Sequence, residues 1–152
     1  MSLLTTNEIG IYRAMIEDMY RAVNSREILE AALKFMQDGW IKGALETSEG
    51  VCILGGLNKA CSQSLSGNPD LVPGPYREGL EGALKALRAA LLETAEQGAW
   101  DVQLIATLKS PWQDDWTVIN SLIPYFNDSV AESFEDVALF MKRAIESAEE
   151  TS

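Results

Sequence analysis

The side chains able to do chemistry are few, and many of them crowd between Gly39 and Cys61. That stretch carries Trp40, both thiols (Cys52 and Cys61) and five glycines. A thiol becomes a nucleophile or ligand only as thiolate. Cys52 stands just before an expected helix start, where the helix dipole would lower its pKa. The structural alternative is a small buried apolar residue, and it is the default for both cysteines. Two thiols cannot complete a four-thiolate zinc site, and the chain has no histidine. Histidine-activated serine and cysteine nucleophiles are therefore excluded, with imidazole-ligated zinc and di-iron centres. Gly55-Gly56 before Asn58-Lys59 lacks the spacing of a phosphate loop.

Paired carboxylates are the remaining route to catalysis. Glu78 and Glu81, and Glu93 and Glu96, fall at helical spacing, and Glu132, Glu135 and Asp136 form a third group. Such pairs hold Mg²⁺ in helical nucleotide hydrolases, because hard cations take oxygen ligands. The same spacing arises on any solvated helix face, so no catalytic or metal-binding residue is assigned and no cofactor is expected. Asn127-Asp128 is the most suggestive polar pair. Its default role is a turn between helices. The functional alternative sets Asp128 beside Trp40 and Cys52, with Asn127, in an aromatic-lined ligand pocket. An exposed tryptophan among Trp100, Trp112 and Trp116, rimmed by Asp114 and Asp115, would instead anchor a partner protein.

These residues are positioned by helices. Thr5-Thr6-Asn7-Glu8 has capping-box form, and Ile9, Tyr12, Ile16, Met19, Tyr20 and Val23 follow at helical spacing. Ser25 is expected to cap a second helix that buries Ile28, Leu29, Ala32, Leu33 and Met36 and ends in a left-handed cap at Gly39. The short link implies an antiparallel helix pair. Trp40–Leu45 and Val51–Ile53 flank a polar turn and permit one small β-hairpin. A short helix should follow from about Leu54 to about Ser64, with Gly55 and Gly56 allowing close packing. After a loop rich in Pro and Gly, Pro75 opens a helix to Gln97. Its Leu80, Leu84, Leu87 and Leu91 serve the core or, in the minority reading, a homodimer seam. Trp100–Leu108 reads as helix. Ser110-Pro111 signals another helix, which Pro124 should end. Ser133 caps a last helix burying Val137, Phe140, Met141, Ala144 and Ala148, with fraying expected from Glu149. The sum is an all-α, single-domain bundle of about six helices.

Composition narrows the partners. At 152 residues the chain suits one domain, and 47% hydrophobic with 23% charged residues matches an ordinary globular protein. The net charge of −11 opposes binding to nucleic acid or to anionic membranes. Up to Lys109 there are 14 acids and 10 bases, and beyond it 9 acids and two bases. A solvated acidic surface is the plain reading, and a patch for a basic partner is the sharper one. With neither a signal-peptide pattern nor a membrane span, and with only two cysteines, a cytoplasmic protein with reduced thiols is expected.

Three blocks resemble an uncharacterised family of short proteins from actinobacteria and their phages. They are Trp40, Gly43 and Ala44; Cys52, Gly55, Gly56 and Leu57; and Phe126-Asn127-Asp128 leading into Glu135–Leu139 and Arg143–Ile145. Departures are Gly56 where alanine is usual, Phe126 where tryptophan is common, and a long helical stretch between the second and third blocks. The resemblance implies that the blocks converge in space, and it brings no established activity. The leading expectation is a non-enzymatic, phage-encoded protein that binds another protein of the host through Trp100, Trp112, Asp114, Asp115 and Trp116. A ligand pocket at Trp40, Cys52, Asn127 and Asp128 is the alternative, and Mg-dependent nucleotide hydrolysis the third.

Overall fold

A computed structural model of the chain describes residues 5–12, 23–61 and 74–151. Residues 6–12 are helical (α1), with the Thr5 hydroxyl accepting the Glu8 amide at 3.1 Å as the capping pattern predicts. The helices that follow are α2 (Ser25–Asp38), α3 (Ile53–Ala60), α4 (Gly74–Gln97), α5 (Val102–Lys109), α6 (Asp115–Tyr125) and α7 (Phe134–Thr151). Two short strands, β1 (Glu46–Thr47) and β2 (Gly50–Val51), pair antiparallel between α2 and α3, so the molecule is an all-α domain with one small hairpin. Expectations about Ile16, Met19 and Tyr20, the antiparallel pairing of the first two helices, and the loop up to residue 73 lie outside the described residues.

One apolar cluster unites the helices. α2 packs against α3, α4 and α7, and α4 also packs against α5, α6 and α7. Every residue named above as inward on α2 is buried, as are Leu80, Leu84, Leu87 and Leu91 of α4. Val137, Phe140, Met141, Ala144 and Ala148 of α7 join them. Apolar residues at spacing three and four form a buried stripe on α2, α4 and α7, and removing those stripes from water holds the bundle together, while Ile9 and Tyr12 of α1 stay exposed against the expectation for that helix.

Where the structure departs from the local patterns, tertiary contact is the reason. Asn24, not Ser25, caps α2, its side chain accepting the Glu27 amide at 2.9 Å. The Ser25 hydroxyl instead donates to the Gly79 carbonyl of α4 at 2.8 Å. Gly39 is not left-handed but extended, with φ 169°. It is glycine for room, since a Cβ there would strike the Glu49 carbonyl, and one on Gly50 would strike the Gly39 carbonyl. Trp40–Leu45 does not form a hairpin arm. Trp40 bridges Val51 in parallel, while Glu46–Thr47 supplies the antiparallel partner. Gly55 allows the close packing expected of it, its Cα facing the Leu45 carbonyl.

α3 ends at Ala60 with Cys61 as its C-cap, and the expected end near Ser64 lies outside the described residues. Ser110-Pro111 does not start a helix. Residues 111–113 are turn and bend, and Asp114 caps α6 by accepting the Thr117 amide at 2.6 Å. Pro124 does not end α6 but lies inside it. Lacking an N–H, it cannot bond the carbonyl four residues back. The helix then widens into a π-helical turn, Phe126–Val130, closed by Ala131 N–H to Phe126 O at 2.8 Å. α7 runs on through Glu149 to Thr151.

Candidate functional site

The π-helical turn positions the Asn127-Asp128 pair. Widening the helix by one residue per turn rotates Asn127 inward, where it is 1% exposed and the one buried polar residue among those described. Its Oδ1 accepts two N–H groups, Trp40 Nε1 at 2.9 Å and the Ile53 amide at 3.1 Å. Its Nδ2 donates to Ile41 O at 3.1 Å and to Asp128 Oδ1 at 2.8 Å. Asp128 Oδ1 also accepts the Gly43 amide at 3.0 Å. Asn127 thus uses every donor and acceptor it has. It fastens the Gly39–Ile53 stretch, 74 to 87 residues away in the chain, to the end of α6.

Trp40, Cys52, Asn127 and Asp128 therefore stand together, and the three sequence blocks converge there. Beside them opens a cavity of about 200 Å³, lined by Leu45, Cys52, Leu54, Ile123, Pro124 and Asp128 among others. It is not aromatic-lined. Trp40 spends its indole N–H on Asn127 and its ring face under Lys42 Nζ, 5.6 Å from the centroid. Cys52 caps α3 through sulfur, accepting the Gly55 amide at 3.4 Å. Burial nevertheless pushes the Cys52 thiol pKa up, outweighing the lowering by the Gly55 and Leu54 amides, and the Asp128 charge adds to the rise. That environment keeps the thiol protonated and agrees with the default reading of Cys52 as a buried residue rather than an activated nucleophile. Burial pushes Cys61 up to about 11.

The second set of residues divides. Trp100 is half-buried and packs edge-on against Tyr125, with ring centroids 5.1 Å apart. Trp116 packs half-buried on the core. Trp112 is 93% exposed. It sits on the loop between α5 and α6, and that loop is organised by Arg88, a residue sequence reasoning missed.

The Arg88 side chain is only 14% exposed and reaches from α4 under the loop. Its Nε donates to Leu108 O at 2.9 Å, and Nη2 to Thr107 O at 3.3 Å and Ser110 O at 2.6 Å. Its Nη1 donates to Gln113 O at 2.8 Å and to Asp115 Oδ1 at 3.1 Å. The guanidinium thereby satisfies carbonyls that the end of α5 leaves free, and its charge suits the negative pole of that helix. Asp115 is consequently a structural partner of Arg88. Asp114 remains exposed at the rim, its carboxyl held below the usual range by the Thr117 amide and hydroxyl. Nothing in the sequence singled out Arg88: it flanks the leucine stripe as Lys85 does, where a long basic side chain ordinarily lies along apolar surface with its head in water.

Glu78, Glu81, Glu93, Glu96, Glu132, Glu135 and Asp136 are all exposed. Among the described residues no three acidic or thiol side chains converge to hold a metal ion. Nor is any helix among them long and apolar enough to cross a membrane.

No match to the chain was found among curated proteins or among solved structures. Residues 21–147 match the profile of DUF6197, a span that contains all three sequence blocks and the helical stretch between them. The chain belongs to this family of unknown function.

Proposed function

We propose that this protein is a non-enzymatic binding module that engages another protein through Trp112. The observation carrying this reading is a 93% exposed tryptophan on a loop held by five hydrogen bonds from one half-buried arginine. Tryptophan is enriched at binding hot spots. Exposing one on a flexible loop would waste much of its contact energy on ordering that loop. Arg88 removes that cost in advance. The ionised Asp114 and the overall charge of −11 favour a basic partner surface, chiefly by speeding encounter. Phage origin and a host protein as target are the finer form of this proposal, supported by the resemblance of the three blocks. Buried, protonated thiols are compatible with a cytoplasmic setting.

The test is recovery of a protein from host lysate by the tagged wild type, at low and moderate salt. Trp112→Ala should abolish that recovery without changing the melting temperature, since the ring touches little of its own protein. Arg88→Met should weaken it by freeing the loop that carries Trp112, although the tryptophan itself is retained. Equal recovery by all three proteins, or none above background, would sink the proposal.

A second reading rests on the cavity of about 200 Å³ beside Cys52 and Asp128. Concave apolar sites with one or two placed polar groups are the usual small-molecule sites. A thermal-shift screen against metabolites and nucleotides should then give a stabilising ligand whose effect Asp128→Ala removes. Shifts unaltered by Asp128→Ala would exclude it.

A further inference from the structure

A larger cavity, about 370 Å³, lies between α4, the π-helical turn and α7, and shares no residue with the Trp112 loop. Its floor is apolar, from the buried Phe126 and Phe140, tilted against one another with 4.6 Å between centroids, and Val130 and the half-exposed Leu139 line its edge. Its walls are charged, with opposite signs at the two ends. Asp136 and Glu132 stand at the start of α7, and Arg143 two turns further on.

Residues seven apart on a helix share a face, and the rise between Asp136 and Arg143 is about 10 Å.

The two charges are incompletely used. Arg143 donates to Thr94 Oγ1 at 3.4 Å and Gln97 Oε1 at 2.9 Å, both neutral acceptors on α4. Its five N–H donors therefore meet no carboxylate among the described residues, although acids outnumber bases almost two to one in the chain. One Asp136 oxygen, Oδ2, accepts the Glu132 amide at 2.8 Å, which fixes the carboxylate at the rim. An apolar floor between a fixed carboxylate and a guanidinium lacking an anion is complementary to a molecule of the reverse polarity. The volume holds roughly a dozen waters, about the bulk of a dipeptide.

We infer that this cavity binds a small zwitterion with an apolar body, of dipeptide size, its carboxylate on Arg143 and its ammonium at Asp136 and Glu132. A free apolar amino acid has the same groups but holds its charges closer together, so it should bind more weakly.

The probes are Ala-Leu, its N-acetyl form, its C-terminal amide, and free leucine, titrated into the full chain and followed by amide and methyl NMR shifts. Ala-Leu should give saturable shifts centred on Phe126, Val130, Leu139 and Phe140. Blocking either terminus should weaken binding by about tenfold or more, the loss of a charge-assisted contact. Arg143→Met should weaken Ala-Leu equally but leave the already weak amide unchanged, a coupling that a folding defect would not produce. The proposal is overturned by the absence of saturable shifts up to about 10 mM. Equal binding of the capped and free dipeptides overturns it as well. That second result keeps the test decisive even should Arg143→Met fail to fold.

Discussion

Asn127 is the residue on which the most structure depends. An asparagine in a turn is ordinarily expendable, yet this one holds four hydrogen bonds while buried. Asn127→Ala would strand the Ile53 amide, the Ile41 carbonyl and the Trp40 indole N–H, each a cost of roughly 1–3 kcal/mol where it stays dry. A total loss of about 3 kcal/mol is expected, read as a fall in the urea midpoint with unchanged slope. Asp128→Ala should cost much less, because its carboxylate is exposed and the Gly43 amide it accepts can turn to water. Comparable losses for the two variants would show that Asn127 is not the fastening point. Sequence reading found the pair but gave the larger role to Asp128, because nothing local says which of two adjacent polar residues faces inward. The π-helical turn decides that, and it follows from Pro124.

At the scale of the element, helix ends were harder to place than helix faces. The end of α4 shows why. Gly98 follows the last residue of α4, but the left-handed residue is Ala99, with φ 52°. Trp100 N–H bonds Ala95 O at 3.0 Å across it, closing the helix. The packing of Trp100 on Tyr125 sets this register, so the alanine bears a conformation that glycine takes freely. Ala99→Gly should therefore stabilise the protein by about 1 kcal/mol, a rise in melting temperature of a few degrees. A fall instead would mean that lost chain entropy outweighs the relieved strain. The α5–α6 connection teaches the same lesson. Ser110-Pro111 has every local mark of a helix start, yet Arg88 takes the Ser110 and Gln113 carbonyls and holds the segment as a loop. Helix signals act over one turn, and a side chain arriving from α4 overrides them.

For the whole molecule, charge and burial set the pH response. Both thiols sit inside the core with raised pKa values, so the native state keeps protons that the unfolded chain releases. Stability is then full below the ordinary thiol pKa of 9.0 and declines as pH rises through the folded value of about 11 for Cys61. Urea midpoints measured at pH ~8 and ~10.5 should fall more for the wild type than for Cys61→Ala, although the variant starts lower because of its cavity. Parallel declines would show that other groups govern alkaline unfolding.

The sequence by itself determined the all-α class, the inward faces of α2, α4 and α7, and the exclusion of histidine-dependent chemistry, whereas Ile9 and Tyr12 of α1, placed on an apolar face by the same spacing, are exposed. These are properties of composition and of periods three to four residues long, which burial reads out directly. It also marked Asn127, Asp128, Cys52 and Trp40 as belonging together, through blocks that lie far apart in the chain. Only the tertiary structure decided that Asn127 is the buried clasp, that Cys52 is a protonated cap, that Arg88 builds the loop displaying Trp112, and that Arg143 faces a cavity. Apart from the local bond of Cys52 to Gly55, each of those depends on a partner between 19 and 87 residues away, or on a shift of one residue in helix register. Local propensity carries no information about either, because the energies that settle them come from contacts made only once the helices have packed.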